Sequence, residues 1–407
     1  MEYVVIGNST AGINCIEGIR KVDPEGRIVN ISDEPYFPYS RPLLSYLVAE
    51  KVTEDRMNFR PLSFYKDYNV EPVFGSGVVF VDTEKKIVYL EDGKRFNYDK
   101  LLIATGRKPL RLPIPGIEGE GVFNFTSLDH ARGILSYIKD VKTVGIIGSG
   151  LIGLKAAEAL RTRGLDIHVV ELKDQIMPFA SDKRAAEILQ MALESHGVRF
   201  HLSLSAKEIL RNGKGKIVGL KLSNDDVIEC QMVIVAVGLN PNIDFMKGTE
   251  ARVNIGLIVD NYMRTTVPDV YAAGDVTESK DVITGMSNVH AVWPRASEQG
   301  MVAGMNMAGF HREYLGGYGM NSVSFFGVSC ISMGDVRTEK PHYEILVKET
   351  PEEFKYTKVI LENDMVRGAI TVGRFVNVSA LNRLLRKRVK VGVYRDNLLE
   401  EKFVFAI

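Results

Sequence analysis

Cysteine is scarce in this sequence, which has three among 407 residues, far apart at Cys15, Cys230 and Cys330. There is no Cys-x-x-Cys pair and no Cys/His cluster, so we predict neither a disulfide framework nor a zinc or iron–sulfur site. An odd number of scattered cysteines is typical of a reducing compartment, which favours a cytoplasmic location.

Other absences narrow the class of protein further. No apolar run is long enough for a membrane-spanning helix, and the N-terminus lacks the basic region of a secretory signal. The 51 basic and 51 acidic side chains cancel, so bulk charge predicts no nucleic-acid partner and no attraction to anionic membranes. A globular enzyme or binding protein of two or three domains remains.

A first strand–glycine–helix unit opens the chain. The apolar run Tyr3–Ile6 leads into a short turn and a helix through Arg20, an arrangement that directs free helix N–H groups at a pyrophosphate. Asp33 follows a second strand at 27–32, where a carboxylate can hold ribose hydroxyls. Ser9 replaces the usual middle glycine, so a tight turn without a ligand stays an alternative. The predicted phosphate contacts are Gly7, Ser9, Thr10, Ala11 and Gly12.

A second unit carries all three glycines of this motif. A strand at 143–147 precedes the turn, and the next strand, at 166–170, ends beside Glu171. A carboxylate there accepts the adenosine 2′-hydroxyl and repels a 2′-phosphate, which favours NADH over NADPH; Lys173 leaves NADPH open. The predicted contacts are Gly148, Gly150, Leu151, Ile152 and Gly153.

Three apolar strands end in small residues at which a cofactor can approach the backbone. They lie at 101–103, 233–236 and 270–273. Beside the third, Asp275 is placed to accept a hydrogen bond from the ribityl chain of a flavin. The predicted contacts are Ala104, Thr105, Gly106, Val237, Gly238, Gly274 and Asp275.

The alternation of β-branched runs and helical patterns predicts an α/β fold with two Rossmann-like domains and a C-terminal α+β domain. We expect the first domain at 1–109 and 242–311, completed by strands near Ile258 and Tyr271. The second domain, at 110–241, is inserted into it, and the C-terminal domain covers 312–407. Its expected elements are strands at 322–333, 343–348, 356–361 and 366–372 and a helix at 378–387.

These motifs, in this order, resemble the pyridine nucleotide–disulfide oxidoreductase superfamily, most of all its branch of rubredoxin reductases, NADH oxidases and nitrite reductase large subunits. Further stretches that carry the resemblance are 33–35, 38–45, 293–300 and 368–373. The resemblance implies an FAD- and NAD(H)-dependent enzyme with FAD in the first domain and NADH in the second. It also implies a C-terminal interface domain and hence a homodimer.

The resemblance suggests roles for residues beside the flavin. A helix from about Ala296 would direct its positive end at the N1–C2=O edge of the ring. Arg41 and Pro42 are also predicted cofactor contacts, Arg41 at the flavin phosphate, and a surface cap is the alternative for Arg41. Trp293 would pack near the isoalloxazine or, equally, in the core.

The sequence departs from this family in two places. The stretch 35–49 contains no cysteine, whereas disulfide reductases carry a Cys-x4-Cys pair there, so we expect electrons to leave the flavin directly. Tyr46 and Lys155 occupy positions where many relatives place a lysine–glutamate pair. We therefore expect Lys155 to supply a catalytic cation near flavin N5; the alternative is a solvated helix residue.

The expected function is an NADH:acceptor oxidoreductase. The acceptor would be a small electron carrier of rubredoxin or ferredoxin type, or a partner redox subunit. The alternatives are a peroxide-forming NADH oxidase and a flavoprotein scaffold whose redox state controls assembly. The basic run at 383–388 is either a solvated helix face or a docking surface for an acidic carrier.

Overall fold

The computed structural model describes residues 1–338, 340–373 and 377–400, which form two compact units. Unit 1 comprises residues 1–40, 54–108 and 239–318. Unit 2 comprises residues 41–53, 109–238 and the described residues from 319 onward. The three-domain division expected from the sequence stays a prediction.

Unit 1 is built around a parallel sheet whose strands end at one common edge. Ile6 lies opposite both Ile31 and Ile103, so the turns that follow these strands emerge side by side. Four of the five strands are mostly buried and apolar, as expected of a parallel sheet covered on both faces, whereas the edge strand at 70–74 is largely accessible. In spatial order they are Val270–Ala272, Lys100–Ile103, Glu2–Ile6, Arg27–Ser32 and Val70–Phe74.

The strand around Tyr271 therefore completes the first sheet as predicted, but the prediction for Ile258 is wrong. Leu257–Ile258 pairs instead with Thr277–Lys280, which also pairs with Ser287–Asn288. The remaining elements of unit 1 are the helix Phe64–Asp67 and the strands Val78–Asp82, Ile87–Leu90 and Arg95–Asn97. Two further short strands of the chain are Arg107–Pro109 and Leu239–Pro241.

Two helices of unit 1, Thr10–Arg20 and Trp293–Met307, pack closely because glycines line their contact. A Cβ atom at Gly300 would lie 2.1 Å from the Ala11 carbonyl oxygen, and one at Gly304 would lie 2.1 Å from that of Cys15. The second helix begins at Trp293 rather than near Ala296, since proline at the second helical position fits the first turn, where its missing N–H needs no partner.

Unit 2 contains a second parallel sheet of the same design. Ile147 lies opposite Val170 and Val235, which again brings the turns after these strands to one edge. The strands in spatial order are Val198–Leu202, Asp166–Glu171, Thr143–Ile147, Met232–Val235 and Val122–Phe123. A smaller sheet is formed by Ala206–Arg211, Ile217–Leu222 and Val227–Ile228. The helices are Leu44–Val48, Leu128–Tyr137, Leu151–Thr162 and Lys183–Ser195.

An antiparallel sheet forms the C-terminal part of unit 2. Its strands in order are Met320–Phe325, Val328–Gly334, Met365–Val372, Lys355–Glu362 and Glu344–Thr350. The stretch expected as one strand at 322–333 is a hairpin, because Phe326 (φ +47°) and Gly327 (φ +87°) form its two-residue turn. The helix Val378–Lys387 has the predicted bounds. The predicted fold class is confirmed.

Within the described residues, no helix combines the length and apolarity that crossing a membrane requires.

Candidate functional site

The first glycine turn can exist only with its glycines. Gly7 has φ +119°, and a Cβ atom there would lie 2.2 Å from the Ala104 carbonyl oxygen. A Cβ atom at Gly12 would lie 2.0 Å from the carbonyl oxygen of Gly7. Ser9 is the N-cap of the Thr10–Arg20 helix, but its side chain makes no capping hydrogen bond. The first N–H groups of this helix are thus available to an external acceptor such as a phosphate.

The second glycine turn repeats this geometry. A Cβ atom at Gly148 would lie 2.5 Å from the Ala236 carbonyl oxygen, and one at Gly153 would lie 2.0 Å from that of Gly148. Gly150, the N-cap, differs because a Cβ atom there would meet nothing within 4 Å. The backbone at Gly150 therefore borders open space ahead of an uncapped helix that begins with Leu151 and Ile152. This shape fits a pyrophosphate.

Glu171 forms more hydrogen bonds within its own chain than the sequence indicated. Its carboxylate accepts hydrogen bonds from the Ser149 N–H at 2.9 Å, the Ser149 hydroxyl at 2.8 Å and the Lys173 N–H at 2.9 Å. The residue is 9% exposed. A carboxylate has about four acceptor positions, so the expected ribose contact would use the remaining one. Asp33, in contrast, is exposed.

Side-chain hydrogen bonds fix the small-residue turns of unit 1. The Thr105 hydroxyl donates to the Asn242 carbonyl oxygen at 2.7 Å. The Gly274 N–H donates to Oε1 of the buried Gln299 at 2.8 Å, and the Thr277 hydroxyl donates to the same oxygen at 3.0 Å. Gln299 was not predicted to have a role; a buried amide on a helix face packed against apolar residues was the available signal. In unit 2, Gly238, which follows Val237, has φ +132° and borders open space.

Arg107 is a second residue that the sequence did not identify. Its Nε is buried and has no hydrogen-bond partner within the described part of the chain. Burial lowers the pKa of Arg107, while the negative charge of Asp275 acts in the opposite direction. A half-buried guanidinium whose buried Nε–H lacks a partner among the described residues fits a polar or anionic ligand group near the Gly274 turn.

The residues expected beside the flavin are placed as follows. In unit 1, the Trp293 ring packs edge-on against Phe59, with 4.9 Å between ring centroids, and Ala296 is buried in the first turn of its helix. In unit 2, Arg41 donates to the Thr126 carbonyl oxygen at 2.7 Å, and Pro42 follows it in a short 3-10 helix. Their contacts with a flavin stay predictions.

Lys155 lies in a cluster of unit 2 that also contains Tyr46. Its Nζ forms an ion pair with Glu158 and donates a hydrogen bond to the Ser324 carbonyl oxygen at 3.2 Å. The Lys155 side chain is 21% exposed. The rings of Tyr46 and Phe325 lie 5.2 and 5.6 Å from Nζ. The structure thus brings together Tyr46 and Lys155, which occupy the positions where many relatives place a lysine–glutamate pair.

Glu158 is the member of this cluster that the sequence analysis missed. Its Oε1 accepts a hydrogen bond from the Phe326 N–H at 2.8 Å, while Oε2 pairs with Lys155. Its position three residues after Lys155 on one helix was the available signal. Glu158 therefore attaches the hairpin turn of the C-terminal sheet to the Leu151–Thr162 helix.

The three cysteines are all free and buried. Burial raises the pKa of Cys230 to about 11 and that of Cys330 to about 12, and it also raises the pKa of Cys15. Cys230 lies just before the strand Met232–Val235 rather than within a strand. Since the thiolate is the reactive form, none of these residues is suited to redox catalysis. The described residues also contain no group of three or more His, Cys, Asp or Glu side chains placed to bind a metal.

Comparisons with known proteins agree with this geometry. Residues 1–300 match the family described as pyridine nucleotide-disulphide oxidoreductase, and residues 320–389 match the rubredoxin NAD+ reductase C-terminal domain. Nitrite reductase [NAD(P)H] of Bacillus subtilis is 30% identical over 96% of the chain, but the chain spans only 48% of that protein. The chain therefore covers about half the length of that relative.

Two further relatives are matched along almost their whole length. The NADH-dependent phenylglyoxylate dehydrogenase subunit epsilon of Aromatoleum evansii is 29% identical, over 98% of the chain and 94% of the relative. The NADH-rubredoxin oxidoreductase of Clostridium acetobutylicum is 27% identical, over 98% and 96%. Among solved structures, an NAD-dependent persulfide reductase from A. fulgidus superposes with a TM-score of 0.90 at 26% identity, covering 100% of this chain and 80% of that one.

Proposed function

The chain belongs to the pyridine nucleotide-disulphide oxidoreductase family, and from this premise we propose that it passes electrons from NADH to a small electron-carrier protein or a partner redox subunit. Membership confirms the predicted family, the oxidoreductase class and the cofactors FAD and NAD(H). The FAD domain is proposed at 1–109 and 242–311, the NAD domain at 110–241 and the interface domain at 312–407.

One observation carries this proposal. Both dinucleotide turns are intact, whereas all three thiols of the chain are buried. With both cofactors bound, hydride transfer from nicotinamide C4 to flavin N5 supplies the chemistry. The protein has no accessible thiol to receive the electrons next, so the acceptor is external. Among the relatives, one is named for rubredoxin, and another is named as a subunit of an NADH-dependent dehydrogenase.

We propose which residues of the chain bind each part of the two cofactors. The helix N-termini after Ser9 and Gly150 would hold the two pyrophosphates through backbone N–H groups. Asp33 and Glu171 would accept hydrogen bonds from the ribose hydroxyls. Lys155 would place a positive charge near flavin N5 and thereby stabilise developing negative charge. Its ion pair with Glu158 and its two aromatic neighbours restrict the ammonium group to one position.

The helix Val378–Lys387 supplies a proposed docking surface. Leu384 and Leu385 are buried, whereas Arg383, Arg386 and Lys387 are exposed. The basic side chains therefore project from the side opposite the core. Acidic electron carriers associate with such surfaces through charge, which speeds brief encounters and depends on salt.

A homodimer and a cytoplasmic location are also proposed. The match of residues 320–389 to a rubredoxin reductase C-terminal domain supports an interface role for this part of the chain. The three free cysteines support a reducing compartment. Size-exclusion chromatography with and without NADH tests the dimer. A change of oligomeric state without turnover would favour the scaffold alternative.

The first experiment is an anaerobic titration of the purified, FAD-loaded protein with NADH and separately with NADPH. We expect the flavin band to bleach at stoichiometric NADH. Rubredoxin, ferredoxin and oxygen are then supplied as acceptors at low and high salt. Carrier reduction should be fast and slowed by salt, whereas flavin reduction should not depend on salt.

Other outcomes of this experiment would redirect the assignment. Oxygen turnover as fast as carrier reduction, with hydrogen peroxide as the product, would identify an NADH oxidase. Failure of NADH to bleach the bound flavin would contradict the proposed function.

A further inference from the structure

A cavity of about 180 Å³ lies within unit 2, between the helix Leu44–Val48 and the helix Leu151–Thr162. Part of its wall is apolar, formed by Ala49, Ala159 and the ring of Tyr46. The volume is several times the roughly 30 Å³ that one water occupies in the liquid. It is smaller than most drug-sized pockets, so the cavity suits a ligand of only a few non-hydrogen atoms.

The wall of this cavity contains a buried hydroxyl that lacks a partner. Ser45 is 6% exposed, and its Oγ makes no hydrogen bond within the described part of the chain. Buried polar groups are nearly always hydrogen-bonded, and a buried hydroxyl without a partner destabilises the fold. The Ser45 hydroxyl can donate, so a ligand that presents an acceptor would satisfy it.

Two ammonium groups supply further donors. Lys51 lines the cavity, is exposed, and has no ion pair among the described residues. An ammonium group has three N–H donors. Lys155 uses one for Glu158 and one for the Ser324 carbonyl oxygen, which leaves the third without an acceptor among residues 1–338, 340–373 and 377–400.

The net charge of the cavity lining indicates the class of ligand. Glu158 is the one acidic residue in the lining, and its negative charge is paired with the ammonium group of Lys155. Lys51 therefore leaves the lining with an excess positive charge. We propose that this cavity is a binding site for a small oxyanion, held by Ser45, Lys51 and Lys155. The site shares Lys155 with the proposed flavin contact, but it does not depend on the identity of the electron acceptor.

The test is isothermal titration of the FAD-loaded protein with sodium phosphate and, separately, sodium acetate, at an ionic strength kept constant with sodium chloride. Saturating NAD+ is included so that the phosphate probe does not bind at the second glycine turn. The variants are Ser45→Ala and Lys51→Met, with Lys214→Met as the matched exposed lysine. Lys51 lies on the exposed rim, so its variant remains informative even if Ser45→Ala does not fold.

We expect one or both probes to bind the wild-type protein and the Lys214→Met variant alike. Affinity should fall about tenfold in each of Ser45→Ala and Lys51→Met, since each loses a hydrogen bond to a charged group. Tighter phosphate binding would indicate a phosphate ligand, and tighter acetate binding a carboxylate. The proposal is overturned if neither probe binds, or if both variants bind as tightly as the wild type.

Discussion

The Glu171 carboxylate accepts three hydrogen bonds from its own chain, two of them from Ser149 in the second glycine turn. It therefore shapes the phosphate-binding turn in addition to any contact with ribose. If Glu171 also binds the ribose as proposed, its substitution changes stability and cofactor affinity together, because the same carboxylate holds the turn.

We expect Glu171→Gln to lower the free energy of unfolding by about 1.5–3 kcal/mol, since hydrogen bonds to a buried charge are lost and an amide N–H₂ opposes the Ser149 donors. The KM for NADH should rise as well. Urea unfolding and initial rates measure the two effects. Glu229→Gln, at an exposed position without such bonds, is the control. Wild-type stability in Glu171→Gln would disprove this role.

For Lys155, charge and anchoring can be separated experimentally. Lys155→Met should slow flavin reduction by NADH about 100-fold, the effect typical of losing one electrostatic contact in a transition state. Glu158→Gln keeps the cation but weakens the anchor of the Phe326 turn, so it should lower the melting temperature more than the rate. Stopped-flow absorbance and thermal melts measure the two. An unchanged rate in Lys155→Met would refute the catalytic role.

At the scale of elements, a histidine pair joins two strands of the second parallel sheet. His168 on Asp166–Glu171 and His201 on Val198–Leu202 approach to 2.9 Å between ring nitrogens. Burial, together with the positive charges of His201 and Arg199, lowers the pKa of His168 to about 4. Burial also lowers the pKa of His201.

This pair makes stability depend on pH. In the unfolded chain His168 takes up a proton near its usual pKa of about 6.5. In the folded protein its pKa is about 4, so it takes up the proton only near that pH. The free energy of unfolding should therefore fall as the pH drops from about 6.5 to 4. The loss should be about 1 kcal/mol, since both rings are partly exposed and solvent screens them.

Urea midpoints between pH 7.5 and 4 measure this effect. His168→Gln should flatten the slope, whereas His311→Gln, at an exposed position, should leave it intact. Equal slopes in the wild type and His168→Gln would exclude this origin.

Elements whose pattern is local were predictable from the sequence. The strand Arg27–Ser32 and the helix Val378–Lys387 have their predicted bounds, because hydrophobic period and flanking residues lie within each segment. The strand at Ile258 was misassigned, since pairing partners are set by distant parts of the chain. The contacts of Glu158 and Gln299 escaped prediction for the same reason: their partners are remote in sequence.

At the scale of the whole molecule, the state of the thiols distinguishes this protein from disulfide reductases. All three cysteines are free and buried. We expect native protein to show almost no thiols reactive to Ellman's reagent, both before and after anaerobic reduction with NADH. Denatured samples of either state should give three. A gain of two thiols on reduction would reveal a redox-active disulfide and contradict direct transfer from the flavin.

The division of the chain into non-contiguous units has a consequence for biosynthesis. The parallel sheet of unit 1 starts with the strand Glu2–Ile6 and is complete only when Val270–Ala272 has been synthesised. In contrast, every strand of the parallel sheet in unit 2 lies between residues 122 and 235. At about 5–20 residues per second, the ribosome needs roughly 15–60 s to deliver unit 1 in full. The later sheet is therefore expected to close first, while the Lys100–Ile103 strand keeps an open edge that nascent chains can share. We expect expression at reduced temperature or with chaperones to raise the soluble yield, because fewer nascent chains then pair at this edge before Val270–Ala272 is synthesised.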